Sequence, residues 1–492
     1  MASLPMRFSE HSFRHRQSGL LGRLCRRSRC VMTALTTVAL LAVASQVMAD
    51  GGDGGGNGGD GDGGGFFPPV AGVDVNPSGV LSVQRVDNRL ARQRAMEARA
   101  NVDQRDVMKR SELRKVSLPR LEKAVMRSIN EGNGLSDDLI ATAGLTSVDY
   151  VFFYPESGDI VLAGPAEGFV TDGAGRMVGI ESGLPSVLLE DLIVALRAYA
   201  PGAEPTKIIS VSIDPTAEGL QRMQRFMANL GGLTGRGDTR RIVEGLKQNL
   251  GLQTVSIAGI PRETHFARVL VEADYRMKLI GIGLEQLPIP FKGYVARTTP
   301  QSARNAMQRW YFQPNYEGVF VSEDRLAMRL DDHAVELVGE GERVGPDGQR
   351  VAAGGGNRAS QAFCREFTEK YPLIASRVRV YAELQQLIDL AIVSAYIHKQ
   401  DFYTRADWSM SLLGDESQLP TQTYPVPAQV ETAVNAIWRG NTLMTPLGGG
   451  VSMQPRLALN RDRVSIDDSG EIAATKQRVG PENLADDQWW WD

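Results

Sequence analysis

Cysteine and histidine are scarce in this sequence, which has three cysteines and five histidines among 492 residues. Two of the cysteines lie within the first 49 residues, so Cys364 is the only one in the remaining chain. A lone thiol cannot form an internal disulfide, and the scattered histidines do not form the clusters that bind zinc. The signatures G-x-S-x-G and H-E-x-x-H are also absent. The sequence therefore predicts no metal site and no cofactor, and Cys364 is expected to be a buried structural thiol.

Long hydrophobic runs are absent too. The longest, Thr33 to Ala44, has about a dozen residues, fewer than the roughly 20 that a membrane-spanning helix needs. Seven arginines precede it and the small residues up to Ala49 follow it, an order typical of a secretory signal peptide over residues 1–49. We expect export by general secretion to the periplasm or the extracellular space, with cleavage after Ala49 and no transmembrane segment afterwards.

An excess of basic charge is also missing, since 54 basic and 58 acidic residues give a formal net charge of −4. Removal of residues 1–49, which carry seven arginines and one glutamate, would lower this charge to −10. A negative protein repels phosphate backbones, so the composition argues against nucleic-acid binding. The sequence identifies no partner; export makes an envelope protein or a glycan the candidate class.

The segment Asp50–Gly65 has eleven glycines and four aspartates among sixteen residues. Calcium-binding repeats of this composition need a hydrophobic residue at a fixed position, and this segment has none. An EF-hand loop starting at Asp60 would have Ala71 in place of the bidentate glutamate. We therefore predict a flexible, disordered linker over residues 50–70.

Strands and helices alternate in the middle of the chain. The strand-like runs Lys207–Ile213 and Leu252–Ile257 flank helical patterns at 216–230 and 238–250, with lengths that suit parallel crossovers. Short β-rich runs beyond Gln308 predict an antiparallel meander. The expected fold class is α/β, in a mixed α+β arrangement: an α/β layer, a short antiparallel β segment, and one long buried helix over residues 371–400.

The predicted organisation has seven parts. They are the signal peptide (1–49), the linker (50–70), a β-hairpin with a charged helical arm (71–131), a central α/β domain ending in the meander (132–340), a glycine-rich loop (341–357), a long helical segment packing on the core (358–400) and an irregular, partly disordered C-terminal region (401–492).

Two loops could supply a site, because ligands of open α/β sheets bind beyond the carboxyl ends of strands. Asp214 follows the first strand, and Glu263 and His265 follow the second. If the strands are parallel neighbours, these side chains form a set suited to general acid–base chemistry. The alternative is that Asp214 caps a helix and that His265 is solvated in a first helical turn.

The binding candidates are charged or aromatic. Arg268, Glu272 and Arg276 are spaced four residues apart on one helical face, either as a salt-bridge ladder or as a recognition surface. A run of tryptophans near the C-terminus would expose a large apolar area unless it docks on a partner or folds back on the body. These residues are Trp489, Trp490 and Trp491.

Three longer segments resemble a known family. They are VDYVFFYPESGDIVLAGPAEGF (148–169), SIDPTAEGLQRMQ (212–224) and THFARVLVEADYRMKLIGIGLE (264–285). The family consists of large exported bacterial proteins, known chiefly from planctomycetes, that share a domain of unknown function. The resemblance covers roughly residues 136–400. It implies export, and it transfers no catalytic or binding residue.

Two functions follow from these observations. We expect a non-enzymatic binding or structural module of the bacterial envelope, and the alternative is a metal-independent hydrolase that uses Asp214, Glu263 and His265. The two differ in one structural requirement, because the hydrolase needs Asp214 and His265 together in one crevice.

Overall fold

Two large β-sheets organise the part of the chain that the structure describes. The computed structural model describes residues 70–76, 78–85, 105–172, 176–229, 239–298, 307–330, 335–344, 350–355, 357–435, 437–439, 442–444, 449–482 and 484–492. All of them belong to one compact unit, Gly65–Asp492. The predicted signal peptide and all of the predicted linker except Val70 lie outside the described residues.

The larger sheet has nine strands. They are β1 (Val70–Val75), β2 (Val80–Arg85), β8 (Ile209–Pro215), β9 (Gln253–Ala258), β10 (Met307–Pro314), β13 (Val335–Val344), β14 (Arg350–Gly355), β15 (Gln429–Val430) and β18 (Gly449–Met453). Their order across the sheet is β1-β2-β15-β9-β8-β18-β10-β13-β14. The pairs β2–β15 and β10–β18 are parallel and the others are antiparallel, so the sheet is mixed.

The second sheet has seven strands. They are β3 (Ser111–Ser117), β4 (Tyr150–Tyr154), β5 (Asp159–Ala166), β11 (Val319–Val321), β12 (Ala327–Leu330), β19 (Ser465–Ile466) and β20 (Trp490–Trp491). Their order is β19-β11-β12-β4-β5-β3-β20. Val151, Phe152 and Phe153 in β4 are fully buried, which explains why this strand is apolar on both faces. Two short pairs complete the described strands: β6 (Phe169–Thr171) with β7 (Met177–Gly179), and β16 (Ile437–Arg439) with β17 (Thr442–Met444).

The described residues contain thirteen α-helices. They are α1 (Leu118–Asn130), α2 (Asp137–Ile140), α3 (Leu189–Arg197), α4 (Ala217–Asn229), α5 (Thr239–Leu250), α6 (His265–Gly281), α7 (Tyr294–Arg297), α8 (Arg358–Glu369), α9 (Tyr371–Ala375), α10 (Arg379–Lys399), α11 (Phe402–Arg405), α12 (Pro455–Ala458) and α13 (Glu471–Arg478). Helices α3, α6 and α10 pack against one another, and α6 also packs on β8 and β18. Together with the sheets they confirm the mixed α+β class. None of the described helices is long and apolar enough to cross a bilayer.

The strands β8 and β9 are antiparallel neighbours, which corrects the parallel arrangement predicted from the sequence. Their register runs from Ser210 opposite Ala258 to Pro215 opposite Gln253. The connection contains two helices, α4 and α5, which pack together on Leu220, Ile242 and other buried side chains. The second helix, α5, brings the chain back to the end of the sheet at which β8 finishes. Strand β9 therefore runs in the direction opposite to β8. A single helix would have produced a parallel pair.

The predicted single helix over residues 371–400 is interrupted. It is split into α9 and α10 because Val378 adopts an extended backbone, with φ −128° and ψ 101°. The apolar residues at helical spacing that predicted the long helix are buried nonetheless, in α9, in α10 and at Val378 between them. They are Ile374, Val378, Tyr381, Leu384, Ile388, Ala391 and Ala395.

The predicted glycine-rich loop at 341–357 contains a β-hairpin in its described part, formed by β13 and β14. Gly339, on β13 just before this segment, is needed for close packing against α8. A Cβ on Gly339 would lie 2.8 Å from Ser360 Oγ on α8, so the missing side chain lets helix and strand approach closely.

The C-terminal region predicted to be irregular is part of both sheets. It contributes β15 and β18 to the larger sheet and β19 and β20 to the smaller one. The predicted hairpin of β1 and β2 is confirmed, and Asn76 supports its turn by accepting hydrogen bonds from the Ser78 and Val80 amides.

Candidate functional site

The predicted set Asp214, Glu263 and His265 is not assembled at one place. In the β8–β9 pair, Asp214 lies opposite Thr254, at the start of β9, whereas the chain leaves for His265 after Ala258. Thr254 and Ala258 are four residues apart, which corresponds to about 13 Å along β9. The parallel strands that would have brought the loops together are antiparallel, and the predicted crevice does not form.

The contacts of Asp214 also show that it is separate from His265. Its carboxylate Oδ2 is 3.7 Å from Arg309 Nη2, and it acts electrostatically on Asp274 and Lys278. Asp274 is nine residues beyond His265 on α6, about 13 Å along the helix axis. Asp214 therefore belongs to a different cluster of charges.

Glu263 has an exposed side chain just before α6. Its carbonyl accepts a hydrogen bond of 2.8 Å from the Tyr424 amide. Thr264 is the N-cap, and its hydroxyl accepts a hydrogen bond from the Ala267 amide. This cap fixes the start of α6 and places His265 at its first position.

His265 is enclosed by residues from two other helices. Its Nδ1 is 2.8 Å from Asp191 Oδ2 on α3, and its Nε2 is 3.9 Å from Glu383 Oε1 on α10. Arg379, one turn before Glu383, donates from Nε to Glu383 Oε1 at 2.6 Å. We call His265, Asp191, Glu383 and Arg379 the His265 network. It connects the three central helices, and the His265 side chain is 14% exposed.

The electrostatics of the His265 network favour the charged form of the imidazole. Burial lowers the pKa of His265, but the carboxylates of Asp191, Glu383 and Glu190 outweigh burial and raise the pKa to about 9. Burial also raises the pKa of Glu383, but Arg379 and His265 lower it below its usual value. At neutral pH the network therefore holds an imidazolium between two carboxylates.

A tyrosine lies beside the network. Tyr424 Oη donates a 2.6 Å hydrogen bond to Glu190 Oε1, and the rings of Tyr424 and His265 are 5.5 Å apart. Burial and the neighbouring Asp191 raise the pKa of Glu190, and burial raises the pKa of Tyr424. In the described chain, Asp191 Oδ1 is buried without a hydrogen-bond partner.

This arrangement has limited chemical capacity. An imidazolium has two N–H donors and no lone pair, so it cannot take a proton from a hydroxyl or a water. Both ring nitrogens of His265 face carboxylates. The His265 network is therefore suited to holding helices together by charge.

A second buried charge pair lies at the other end of α6. Lys278 Nζ is 3.0 Å from Asp274 Oδ2 and donates to the Ile213 carbonyl at 3.1 Å. Burial raises the pKa of Asp274 to about 6 and lowers that of Lys278. Gly449 on β18 lies against both side chains, leaving no room for a Cβ. These contacts anchor α6 to β8 and β18.

The charged residues predicted as a ladder are largely within the fold. Arg276 is buried and contacts Glu285 at 2.8 Å and Glu272 at 3.1 Å. Burial lowers the pKa of Arg276, but the two glutamates raise it overall. Arg268 is half-buried and has partners of its own. The ladder alternative describes Glu272 and Arg276 better than a recognition surface does.

The three tryptophans fold back on the body, the second of the two alternatives. Trp490 and Trp491 form β20, which pairs with β3 at Val116 and Lys115. Trp489 and Trp491 are buried, and Trp491 Nε1 donates to the Val479 carbonyl at 3.1 Å.

Cys364 is buried in α8, and burial raises the pKa of its thiol to about 12, so the thiolate is disfavoured. Among the described residues, no group of three or more His, Cys, Asp or Glu side chains is arranged to hold a metal ion.

Sequence reasoning missed the partners of His265. Asp191 lies in an apolar helix, Glu383 lies in a helix with a continuous apolar stripe, and Tyr424 lies in the region predicted to be irregular. The available signal was a charged residue at a position that helical periodicity makes buried. Asp191 and Glu383 both have this property.

Comparison with known proteins finds a family match for one segment of the chain. Residues 211–294 match the family model described as "Protein of unknown function (DUF1598)". This segment runs from β8 through α6 to the start of α7; it includes His265 but neither Asp191 nor Glu383. No curated protein and no solved structure matches the chain.

Proposed function

We propose that the protein is a non-enzymatic binding or structural module of the bacterial envelope. The observation that carries the proposal is the enclosure of His265 by Asp191 and Glu383, which stabilises the imidazolium. A histidine in this state serves as a charged connector of α3, α6 and α10. The separation of Asp214 from His265 further supports this interpretation, because the hydrolase predicted from the sequence required them together.

A hydrolase screen tests the non-enzymatic part of the proposal. The purified protein is assayed on ester, amide, glycoside and phosphate-ester substrates beside the variants H265Q and E263Q, the latter changing an exposed neighbour. We expect no turnover that distinguishes the three proteins. Turnover that H265Q abolishes would contradict the proposal, whether E263Q also abolishes it, as the hydrolase alternative requires, or leaves it unchanged.

Export is the other part of the proposal, and the order of arginines, apolar run and small residues in positions 1–49 supports it. Cell fractionation followed by N-terminal sequencing of the mature protein tests it. We expect the mature chain to begin at Asp50. A cytoplasmic protein that retains residues 1–49 would contradict export.

A further inference from the structure

A pocket lies at the C-terminal end of α10, far from the His265 network. The empty space within it amounts to about 440 Å³, a volume that includes open solvent. Glu383 and Lys399 are sixteen residues apart on α10, which corresponds to about 24 Å. The pocket therefore shares a helix with the His265 network but none of its residues.

The wall of the pocket combines positive charge with apolar surface. Arg325, Lys399 and Arg461 supply three cations from separate parts of the chain, and none of the described residues that line the pocket is acidic. The apolar part includes Leu459 and Ile466, and Ile466 is 52% exposed.

The positive side chains of the pocket destabilise one another electrostatically. Burial lowers the pKa of Lys399, and Arg325, Arg456 and Arg461 lower it further. The cations therefore repel one another across the pocket. An anion placed among them would relieve this repulsion.

The nearest carboxylates in sequence are turned toward other groups. Asp324 accepts hydrogen bonds from Ser322 Oγ at 2.6 Å and from the Leu326 amide at 2.9 Å. Asp401 accepts from Thr404 Oγ1 at 2.7 Å. Asp462 follows Arg461 in the chain but does not line the pocket. Among the described residues, none of these carboxylates forms an ion pair with Arg325, Lys399 or Arg461.

The C-terminus of α10 offers a competing explanation, because basic side chains stabilise the free carbonyls at a helix end. A helix C-terminus carries about half a negative charge, which is much less than three cations. Lys399 Nζ donates to the Leu459 carbonyl, beyond α10, so its hydrogen bond does not go to the helix end. Tyr396 Oη donates to the Arg325 carbonyl at 2.8 Å and fixes the backbone that carries this arginine. Capping of α10 therefore does not account for the cluster.

We propose that this pocket binds a small organic anion, with a phosphate or carboxylate group among Arg325, Lys399 and Arg461 and an apolar part against Leu459 and Ile466. Guanidinium groups bind either oxyanion in bidentate geometry. The inference is independent of the proposed function, since an anion site is compatible with either a binding module or an enzyme.

Calorimetric titration with inorganic phosphate, phenyl phosphate and benzoate tests the inference at matched ionic strength. The proteins are the wild type, R325Q and R461Q, with K247Q as a control for the loss of one exposed cation elsewhere. Circular dichroism establishes that each variant is folded. Arg325, Arg461 and Lys247 are all exposed, so these changes leave the core intact.

We expect saturable binding of phenyl phosphate or benzoate with one site per chain. R325Q and R461Q should each weaken binding about tenfold or more, which corresponds to the loss of a charge-assisted hydrogen bond, while K247Q should bind like the wild type. Preference for phenyl phosphate or for benzoate assigns the oxyanion. No saturable binding up to about 10 mM, well above a millimolar dissociation constant, would overturn the proposal. Equal weakening by K247Q would overturn it too, and inorganic phosphate binding as tightly as phenyl phosphate would overturn the role of the apolar wall.

Discussion

At the scale of single residues, the surroundings of His265 determine what it can do. A histidine at the start of a helix, on a loop that follows a strand, is a reasonable acid–base candidate from sequence alone. The structure adds Asp191 at 2.8 Å and Glu383 at 3.9 Å, which favour the protonated ring. The same side chain that would serve as a base in solution is therefore a cation in this fold.

This charge state predicts a pH dependence of stability. Because folding raises the pKa of His265 from 6.5 to about 9, its contribution is fully present below pH 6.5 and is lost as the pH rises through 9. We expect the difference in unfolding free energy between the wild type and H265Q to fall by up to about 3 kcal/mol over that range.

Urea unfolding of both proteins between pH 6 and 10 measures this difference. The comparison with H265Q removes the contribution of Lys278, whose lowered pKa affects stability in the opposite direction at alkaline pH. A difference that stays constant or grows with pH would contradict the charge assignment.

At the scale of elements, the periodicity of apolar residues predicted where helices and strands lie. It did not predict the direction in which neighbouring strands run. The helical pattern predicted at 216–230 corresponds to α4 (Ala217–Asn229), and the strand expected at Lys207–Ile213 is β8, shifted by two residues. Their bounds follow from amphipathic spacing. The antiparallel pairing of β8 with β9 depends on how α4 and α5 pack, a tertiary contact that no local pattern contains. The partners of His265 were missed for the same reason.

The close contact of α6 with β18 predicts that a larger residue at Gly449 destabilises the protein. A Cβ at this position would lie 2.3 Å from Lys278 Cε, 2.6 Å from Asp274 Oδ1 and 2.8 Å from the Trp310 carbonyl. Since buried groups on both sides would have to move, we expect G449A to destabilise the protein by about 3 kcal/mol.

Thermal and urea unfolding measure this effect, with G480A as the matched control. The nearest atom to a Cβ on Gly480 is 3.6 Å away, an ordinary contact, so this variant should stay within about 0.5 kcal/mol of the wild type. Equal stability of G449A and G480A would show that α6 and β18 are not packed as described.

At the scale of the whole molecule, both sheets are built from strands that are remote in sequence. Strand β20 pairs with β3, and β15 pairs with β2, so segments near the two ends of the described chain lie side by side. Arg114 on β3 is buried and contacts the Asp492 carboxylate at 2.9 Å. Among the described residues, the predicted parts 71–131, 132–340, 341–357 and 401–492 therefore share sheets, and we expect them to unfold together.

Trp491 tests this cooperativity. Its ring is buried in a cluster with Phe152, Tyr154 and Ile472, so W491A should cost about 3 to 5 kcal/mol and lower the midpoint of one common transition. The control L373A changes a leucine that is 46% exposed and should have little effect. If W491A melted only a local segment and left the main transition unchanged, the two sheets would not form a single cooperative unit.

The central claim is that His265 is a structural cation, and its pKa is the most direct measurement. Proton–nitrogen NMR correlation of the histidine side chains, titrated from pH 5 to pH 10, gives this value, with H265Q to assign the signal. The account predicts a pKa near 9 and a fall toward 6.5 in D191N, in which the nearest carboxylate is removed. A wild-type pKa at or below 6.5 would contradict it and return His265 to the list of candidate bases.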